Sequence, residues 1–336
     1  MEFREAMQEK YKEILESYMK DQNEQALYLS QKFSRKSIEH KISPEEIIIL
    51  HRTALLELGI EAEADMLQSF DILLEVMMAY GIAYREHQNL RTIQQELKSE
   101  IEVAANMQQT LLGTQVPEVD CLDIGAISVP ARQMSGDYYH FVHDEQEAVS
   151  VAIADVIGKG IPAALCMSMI KYSMDSLPEG RYEPCRVLES LNRVVEQNVD
   201  PTMFITMFYG MYNTMNHTFY YSSAGHEPGF FYNHQTQQFE ELYAKGLLLG
   251  VDKKTKYRQF EKKAEAGDII LLMSDGVTEC RTKDGFIEVD TLLGYIKKYI
   301  HLEAQEIADK VYKELEFLQD FELRDDFTLI ILKRIK

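Results

Sequence analysis

VSVAIADVIGKGIPAAL, residues 149–165, is the stretch on which the reading of the fold turns. Its first six residues are a short run rich in β-branched and small side chains, which reads as a buried strand closed by Asp155. Gly158 and Gly160 leave the backbone after Asp155 free for a tight turn. Pro162 then suits the first turn of a helix, AALCMSMIKYSMDSL. A plain strand-to-helix turn explains Gly158-Lys159-Gly160 equally well, and Lys159 is read either as solvent-exposed or as a contact to a phosphate group. The spacing G-x-x-x-x-G-K-[ST] is absent, so a nucleotide-binding P-loop is rejected.

The same texture recurs outward from this stretch. Short apolar runs at 123–129, 138–142, 203–212, 218–224, 230–232, 269–274 and 327–332 are separated by turn-rich segments and read as strands. Helical patterns interrupt them at 184–198, where Val187, Leu188, Leu191, Val194 and Val195 share a face, and at about 303–318. Strands grouped with flanking helices predict an α+β sandwich rather than a βαβ array. Upstream, residues 1–84 read as helix almost throughout. Segments near 2–20, 22–40, 44–58 and 63–84 predict a four-helix bundle, with Ser43 as an N-cap ahead of Pro44, Glu45 and Glu46. Met66, Leu73, Met77 and Met78 exceed what one small bundle needs, and serve either its core or self-association and a partner groove.

Residues 85–112 form a polar helical stretch ended by Gly113. Leu90, Ile93, Leu97, Ala104, Met107 and Leu111 fall on the a and d positions of one heptad frame, with Glu100 as a polar exception and Ile101 just beside the seam. A weak coiled coil and a single linker helix packed on its neighbouring domain both fit. The expected organisation is a helical domain at 1–84, a helical linker at 85–113 and a strand-rich α+β domain at 114–336.

A formal charge of -20 and 46% apolar content suit a chain with a sizeable core. That charge speaks against nucleic acid and anionic membranes as partners, since no excess of Lys and Arg is present to neutralise phosphates. Cys121, Cys166, Cys185 and Cys280 lie far apart without metal-ligand spacing and read as reduced thiols. The N-terminus has no apolar signal core, and Phe70–Tyr84 is interrupted by Asp71, Glu75 and Gly81 and too short to span a bilayer. The expectation is a cytoplasmic protein.

The acidic residues carry the chemistry. Asp137 precedes YYHFV, Asp155 ends VSVAIA, Asp275 ends IILLMS, and Asp325-Asp326 opens FTLIIL. Core strands would bring these carboxylates to one sheet rim, where they repel and raise one another's pKa unless cations neutralise them. Oxygen-only ligation selects a hard ion, Mg²⁺ or Mn²⁺. Two such ions can activate a bridging water and clamp a phosphoryl group. Asp is also a common turn former, and Asp275-Gly276 is a standard turn pair. His226, in AGHEP, is either a general acid for a leaving alkoxide or a structural histidine. No Cys is followed by a C-x₅-R phosphate cradle, so cysteine-based catalysis has no support.

The segments SGDYYHF (135–141), ADVIGKGIPAAL (154–165), SSAGHEPGF (222–230), SDGVTEC (274–280) and DDFTLIIL (325–332) resemble, in order, the motifs of the metal-dependent PPM phosphatases. The match is to the SpoIIE-like branch and covers about 120–336. It implies a PPM-type β-sandwich flanked by helices that binds two Mn²⁺ or Mg²⁺ ions and hydrolyses phosphoserine or phosphothreonine in proteins. By that resemblance Asp155 bridges the metals, helped by the Val156 carbonyl. Asp137 and Asp275 are further metal-bound carboxylates, and either Asp325 or Asp326 supplies the last ligand. Asp155, Asp137 and Asp275 are thus the catalytic set. Ser135 stands where many relatives have Gly, and His140 where they have an acid.

The helical N-terminus and the linker QQELKSEIEVAANMQQTLLG extend the likeness to phosphatases of this branch that govern a general-stress sigma factor. This implies a kinase-like activator protein at the N-terminal domain, a phosphorylated STAS-domain anti-anti-sigma factor as substrate, and a homodimer. A non-enzymatic signalling scaffold built on a degenerate phosphatase fold is the competing class, as is, more distantly, a two-metal nucleotide hydrolase. Intact acids at all four motif positions argue against the scaffold, and the missing nucleotide cradle argues against the hydrolase.

Overall fold

The computed structural model describes the chain except residues 1, 22–23, 41, 60–63, 144–147, 157–159, 178–182, 201–202, 283–284 and 322, and for parts of the N-terminal helices describes backbone alone. It divides into two compact units, Met1–Lys98 and Ser99–Lys336.

The first unit contains α1 (Glu2–Asp21), α2 (Glu24–Glu39), α3 (Pro44–Glu57) and the beginning of α4 (Ala64–Leu112). Met7, Ile14 and Phe33 form its core, joined by Tyr11, Leu29, Ile47 and Leu50. The predicted start of α3 is a full capping box: Ser43 and Glu46 each accept from the other's backbone amide. The two helical stretches expected on either side of residue 84 are one continuous helix of 49 residues. Gly81 does not break it; a Cβ there would overlap the Glu45 carboxylate. The side chains of Met66, Leu73, Met77 and Met78 lie outside the described residues. Of the expected heptad seam, Leu90, Ile93 and Leu97 are exposed.

In the second unit the chain continues through β1 (Leu122–Val129), β2 (Asp137–His143), β3 (Ala148–Val156), α5 (Ile161–Asp175), α6 (Pro184–Asn198), β4 (Ile205–Asn213), β5 (Thr218–Ala224), β6 (Gly229–Asn233) and β7 (Gln238–Leu242). There follow β8 (Phe260–Lys263), β9 (Ile269–Met273), α7 (Asp275–Thr278), β10 (Arg281–Thr282), β11 (Gly285–Phe286), α8 (Val289–Tyr299), α9 (Ala304–Leu318) and β12 (Phe327–Arg334). Two five-stranded antiparallel sheets, ordered β1-β12-β9-β6-β7 and β2-β3-β4-β5-β8, pack face to face.

Phe141, Val149, Val151, Ile153, Phe208, Phe231, Ile270, Leu272, Ile330 and Leu332 fill the layer between the sheets. The outer face of one sheet, through Ala152 and Ala154, is covered by Met167 and Ile170 of α5 and Leu188 and Leu191 of α6. The outer face of the other is covered by Ile296 of α8 and Ile307, Val311 and Leu315 of α9. The result is a four-layer α/β/β/α sandwich. Strands β3, β9 and β12 are apolar on both faces because both faces are covered, which is why they read as continuous runs instead of alternating ones.

The C-terminal part of α4 belongs to this second unit. Ile101, Ala104 and Ala105 pack against Met134 and Ala164, while Met107 and Leu111 are exposed. Lys171 of α5 donates to the carbonyls of Leu111 and Gly113, capping the end of α4.

Candidate metal centre

Register brings the first two acids together. Asp137 opens β2 and Asp155 lies near the end of β3, and the two are directly opposed in the antiparallel ladder. Side chains of opposed residues share a face, about 4.5–5.5 Å apart at Cβ. Asp137 is 5% exposed. Burial first, and then the charges of Asp155 and Asp326, push its carboxyl well above the ordinary range, against hydrogen bonds from Ser274 and Thr328. Thr328 Oγ1 donates to Asp137 Oδ2 at 2.7 Å, and the Asp137 amide donates to Ser135 Oγ at 3.1 Å. Ser135, the departure from the resembled pattern, thus holds the backbone of Asp137 in place.

The other two acid segments meet at the ends of β9 and β12. Ser274 Oγ accepts from the Thr328 amide at 3.0 Å and donates to the Asp326 carbonyl at 3.2 Å. Gly276 allows this approach: a Cβ on it would stand 2.1 Å from the Asp326 carbonyl oxygen. Asp275 and Asp325 then line one cavity of about 230 Å³ with Gly276, Glu279, Gln319 and Arg324.

Asp325 and Asp326 are adjacent in sequence but differ in environment. Asp326 is 6% exposed, and both its oxygens are taken, Oδ1 by the Ala131 amide at 2.7 Å and Oδ2 by the Gly136 amide at 2.5 Å. Asp325 is exposed and faces the cavity. The Val156 amide donates to the Gly136 carbonyl, so the residue before Asp137 is tied both to Asp326 and to the end of β3.

Among the described residues no three His, Cys, Asp or Glu side chains stand already in metal-holding geometry. The donor set nonetheless fits hard divalent ions. A buried carboxylate beside two like charges requires either a proton or a cation, and every acid converging on it offers only oxygen.

His226 is 9% exposed. Its Nδ1 lies 2.9 Å from Thr206 Oγ1, and Thr206 is opposite Asp155 in the β3–β4 register. Burial drives its pKa down to about 4, although the Met273 carbonyl favours the charged form. Its Nε2 makes no hydrogen bond of ordinary geometry. A buried, neutral ring has no proton to give a leaving group at neutral pH, so of the two readings of His226 the geometry favours the structural one. Gly158 and Lys159 lie outside the described residues. Gly160, with φ of 84°, takes the left-handed backbone at the start of α5. Of the residues that support the acids, Ser135 is visible from sequence as a departure from the resembled motif, whereas Ser274, Thr328 and Thr206 are not. The available signal was a hydroxyl inside an otherwise apolar strand, as in FTLIIL.

His140, the second departure, is buried on β2, with Nε2 3.1 Å from Asp175 Oδ1 at the end of α5. It fastens that helix to the strand that begins with Asp137.

The family model for stage II sporulation protein E (SpoIIE) matches residues 145–335, and that for the N-terminal domain of phosphoserine phosphatase RsbU matches residues 9–83. The chain is 59% identical to phosphoserine phosphatase RsbU of Bacillus subtilis over 334 residues, 99% of each chain. It is 26% identical to protein IcfG of Synechocystis over 298 residues, 77% of this chain and 46% of that one. Among solved structures, the SiaA-PP2C domain of Pseudomonas aeruginosa superposes with a TM-score of 0.61 at 17% identity, covering 72% of this chain and 98% of that one. The RsbU and RsbW domains of Rv1364c from Mycobacterium tuberculosis give a TM-score of 0.56 at 21% identity, covering 67% and 62%. These two likenesses establish a PP2C fold for the sandwich. The chain therefore belongs to the SpoIIE family of protein-serine/threonine phosphatases, in the form that carries an RsbU-type N-terminal domain.

Proposed function

We propose that this phosphatase removes phosphate from a serine of a STAS-domain anti-anti-sigma factor, using two Mn²⁺ or Mg²⁺ ions, and that a kinase-like protein docked on residues 1–84 activates it. The observation that carries the metal reading is the opposed Asp137–Asp155 pair, with its buried, charge-crowded carboxylate. Asp137, Asp155, the Val156 carbonyl, Asp275 and Asp325 are the groups that would hold the ions. Asp326 is withdrawn from that set because both its oxygens already accept from backbone amides. When bound, the ions supply the positive charge that polarises the phosphoryl group and an attacking water. The chain's own contribution is to hold the acids: Thr328 orients Asp137, Ser274 ties β12 to the Asp275 turn, and Asp326 anchors Gly136. With His226 buried, solvent supplies the leaving-group proton.

The activation proposal draws support from the end of α4. Gln108 Nε2 donates to the Ser135 carbonyl at 2.9 Å, and its Oε1 accepts from the Ser135 amide at 3.2 Å. A change in α4 therefore reaches a residue two positions from Asp137. An activator acts through this route only if it binds the two states of the helix with different affinity. A cytoplasmic homodimer joined along the exposed Leu90, Ile93, Leu97, Met107 and Leu111 belongs to the same proposal. Among the described residues no helix is long and apolar enough to cross a membrane.

The test is phosphate release from the serine-phosphorylated STAS-domain protein, with and without Mn²⁺ and the activator. Asp155→Asn should abolish both hydrolysis and Mn²⁺ binding while the fold is kept. Near-normal turnover by that variant would remove the metal assignment, and equal activity of residues 120–336 alone and the activated full chain would remove the activation proposal.

A further inference from the structure

The cavity shared by Asp275 and Asp325 is lined by donors as well as acids. Glu279, Asp275 and Asp325 contribute carboxylates, and Gln319 and Arg324 contribute hydrogen-bond donors. Among the described residues these donors are not used. Gln319 Nε2 is buried without a partner. Arg324, on the exposed approach to β12, makes no hydrogen bond or ion pair among the described residues, although three carboxylates line the same cavity.

An idle guanidinium and an idle amide lining one cavity suit a group that brings its own acceptor oxygens. Guanidinium pairs with phosphate through two parallel hydrogen bonds, and the amide adds a third donor.

Two exposed rings flank Gln319 in the chain. Phe317, the penultimate residue of α9, is 66% exposed and Phe321 is 70% exposed, with ring centroids 6.0 Å apart in an edge-to-face pair. The backbone between them is strained: Asp320 and Phe321 have φ of 55° and 63°, a left-handed conformation rarely adopted by two successive residues other than glycine. The turn is held by the Phe321 amide donating to the Glu316 carbonyl at 2.9 Å. An aromatic pair held in solvent on either side of a cavity-lining residue is the composition of a protein-recognition anchor.

We infer that Arg324 and Gln319 receive the phosphoryl oxygens of the substrate phosphoserine, and that the Phe317–Phe321 edge receives the apolar side chains flanking that serine in the substrate protein. The inference rests on the phosphatase reading and adds a specificity surface to it. With ions held by the acids, Arg324 and Gln319 would supply the further donors to the same phosphomonoester. Gln319 and Arg324 are substrate-positioning residues in this scheme.

The experiment compares two substrates in Mn²⁺: the serine-phosphorylated STAS-domain protein and p-nitrophenyl phosphate. Arg324→Met should raise KM for both by about tenfold or more and weaken inhibition by inorganic phosphate to match, with the Mn²⁺ requirement unchanged and Arg324→Lys restoring part of the loss. Phe317→Ala/Phe321→Ala should raise KM for the phosphoprotein about tenfold relative to p-nitrophenyl phosphate. Thermal melting confirms that these surface variants fold. Unchanged KM and phosphate inhibition in Arg324→Met would overturn the phosphoryl role. An equal effect of the double variant on both substrates would overturn the docking edge. A wild-type protein inactive on both substrates would instead remove the phosphatase reading beneath the inference.

Discussion

Replacing His226 by Asn isolates the contribution of one buried neutral ring to stability. Asn keeps an amide near the position of Nδ1, so the link to Thr206 is retained while the titrating group is lost. In the unfolded chain the imidazole takes up a proton near 6.5, whereas in the folded protein burial delays that proton until about 4. Between those values the unfolded state binds more protons, so stability rises with pH and is lost as pH falls. The full window of about 2.5 units corresponds to about 3.4 kcal/mol, of which about 2 kcal/mol is gone by about pH 5. Urea unfolding of the metal-free protein at about pH 7 and about pH 5 measures this directly. The variant should be less stable than wild type at pH 7, and its fall on acidification should be smaller by about 2 kcal/mol. Contributions from the rest of the chain are common to both proteins and cancel. An identical pH slope in the two proteins would refute the argument, since it would mean that His226 is solvated or already charged in the folded state.

Asp326→Ala should cost about 2–4 kcal/mol by orphaning the Ala131 and Gly136 amides, whereas Asp325→Ala should leave stability within about 0.5 kcal/mol and lower Mn²⁺ affinity; thermal melting and Mn²⁺ titration separate the two effects. Gly276→Ala places a methyl group against the Asp326 carbonyl and should move the Asp275 turn away from Asp325, lowering Mn²⁺ affinity about tenfold or more; calorimetry showing wild-type affinity would contradict the close approach. Asn192 is fully buried, donating to the Asp252 carbonyl and accepting from the Gly250 amide, so Asn192→Leu should destabilise the protein by about 2–4 kcal/mol in urea unfolding.

The parts of the fold legible from sequence are those where local pattern and burial agree. Strands β3, β9 and β12 were visible as unbroken apolar runs, and α6 by the single face formed by Val187, Leu188, Leu191 and Val195. Strands β7 and β8 were not recognised, because edge strands such as QFEEL keep mostly polar side chains and derive their identity from a neighbour. Helix α8 was also missed, though Leu292, Leu293 and Ile296 mark its buried face. At the site, the strand-end position of the acids was readable, but the difference between Asp325 and Asp326 was not. That difference is created by the Ala131 and Gly136 amides, 195 and 190 residues away in the chain. The two helical segments expected on either side of residue 84 join into one for a related reason: polarity changes there, but helix geometry does not.

The position of β12 has a kinetic consequence. This strand lies between β1 and β9, and its pairing with β1 joins residues about two hundred positions apart, as in the Ser128–Thr328 contact. Such non-local pairing must overcome loop-closure entropy before any ladder bond rewards it, which slows folding. During synthesis β1 and β9 therefore wait with open edges until residue 334 has left the ribosome. The two aspartates at the start of β12 arrive with the strand that closes the sheet, so a nascent chain acquires its complete set of acids only in the same event that completes its core. An unfinished molecule is thereby denied a finished centre, and its open strand edges are templates for mispairing during that interval.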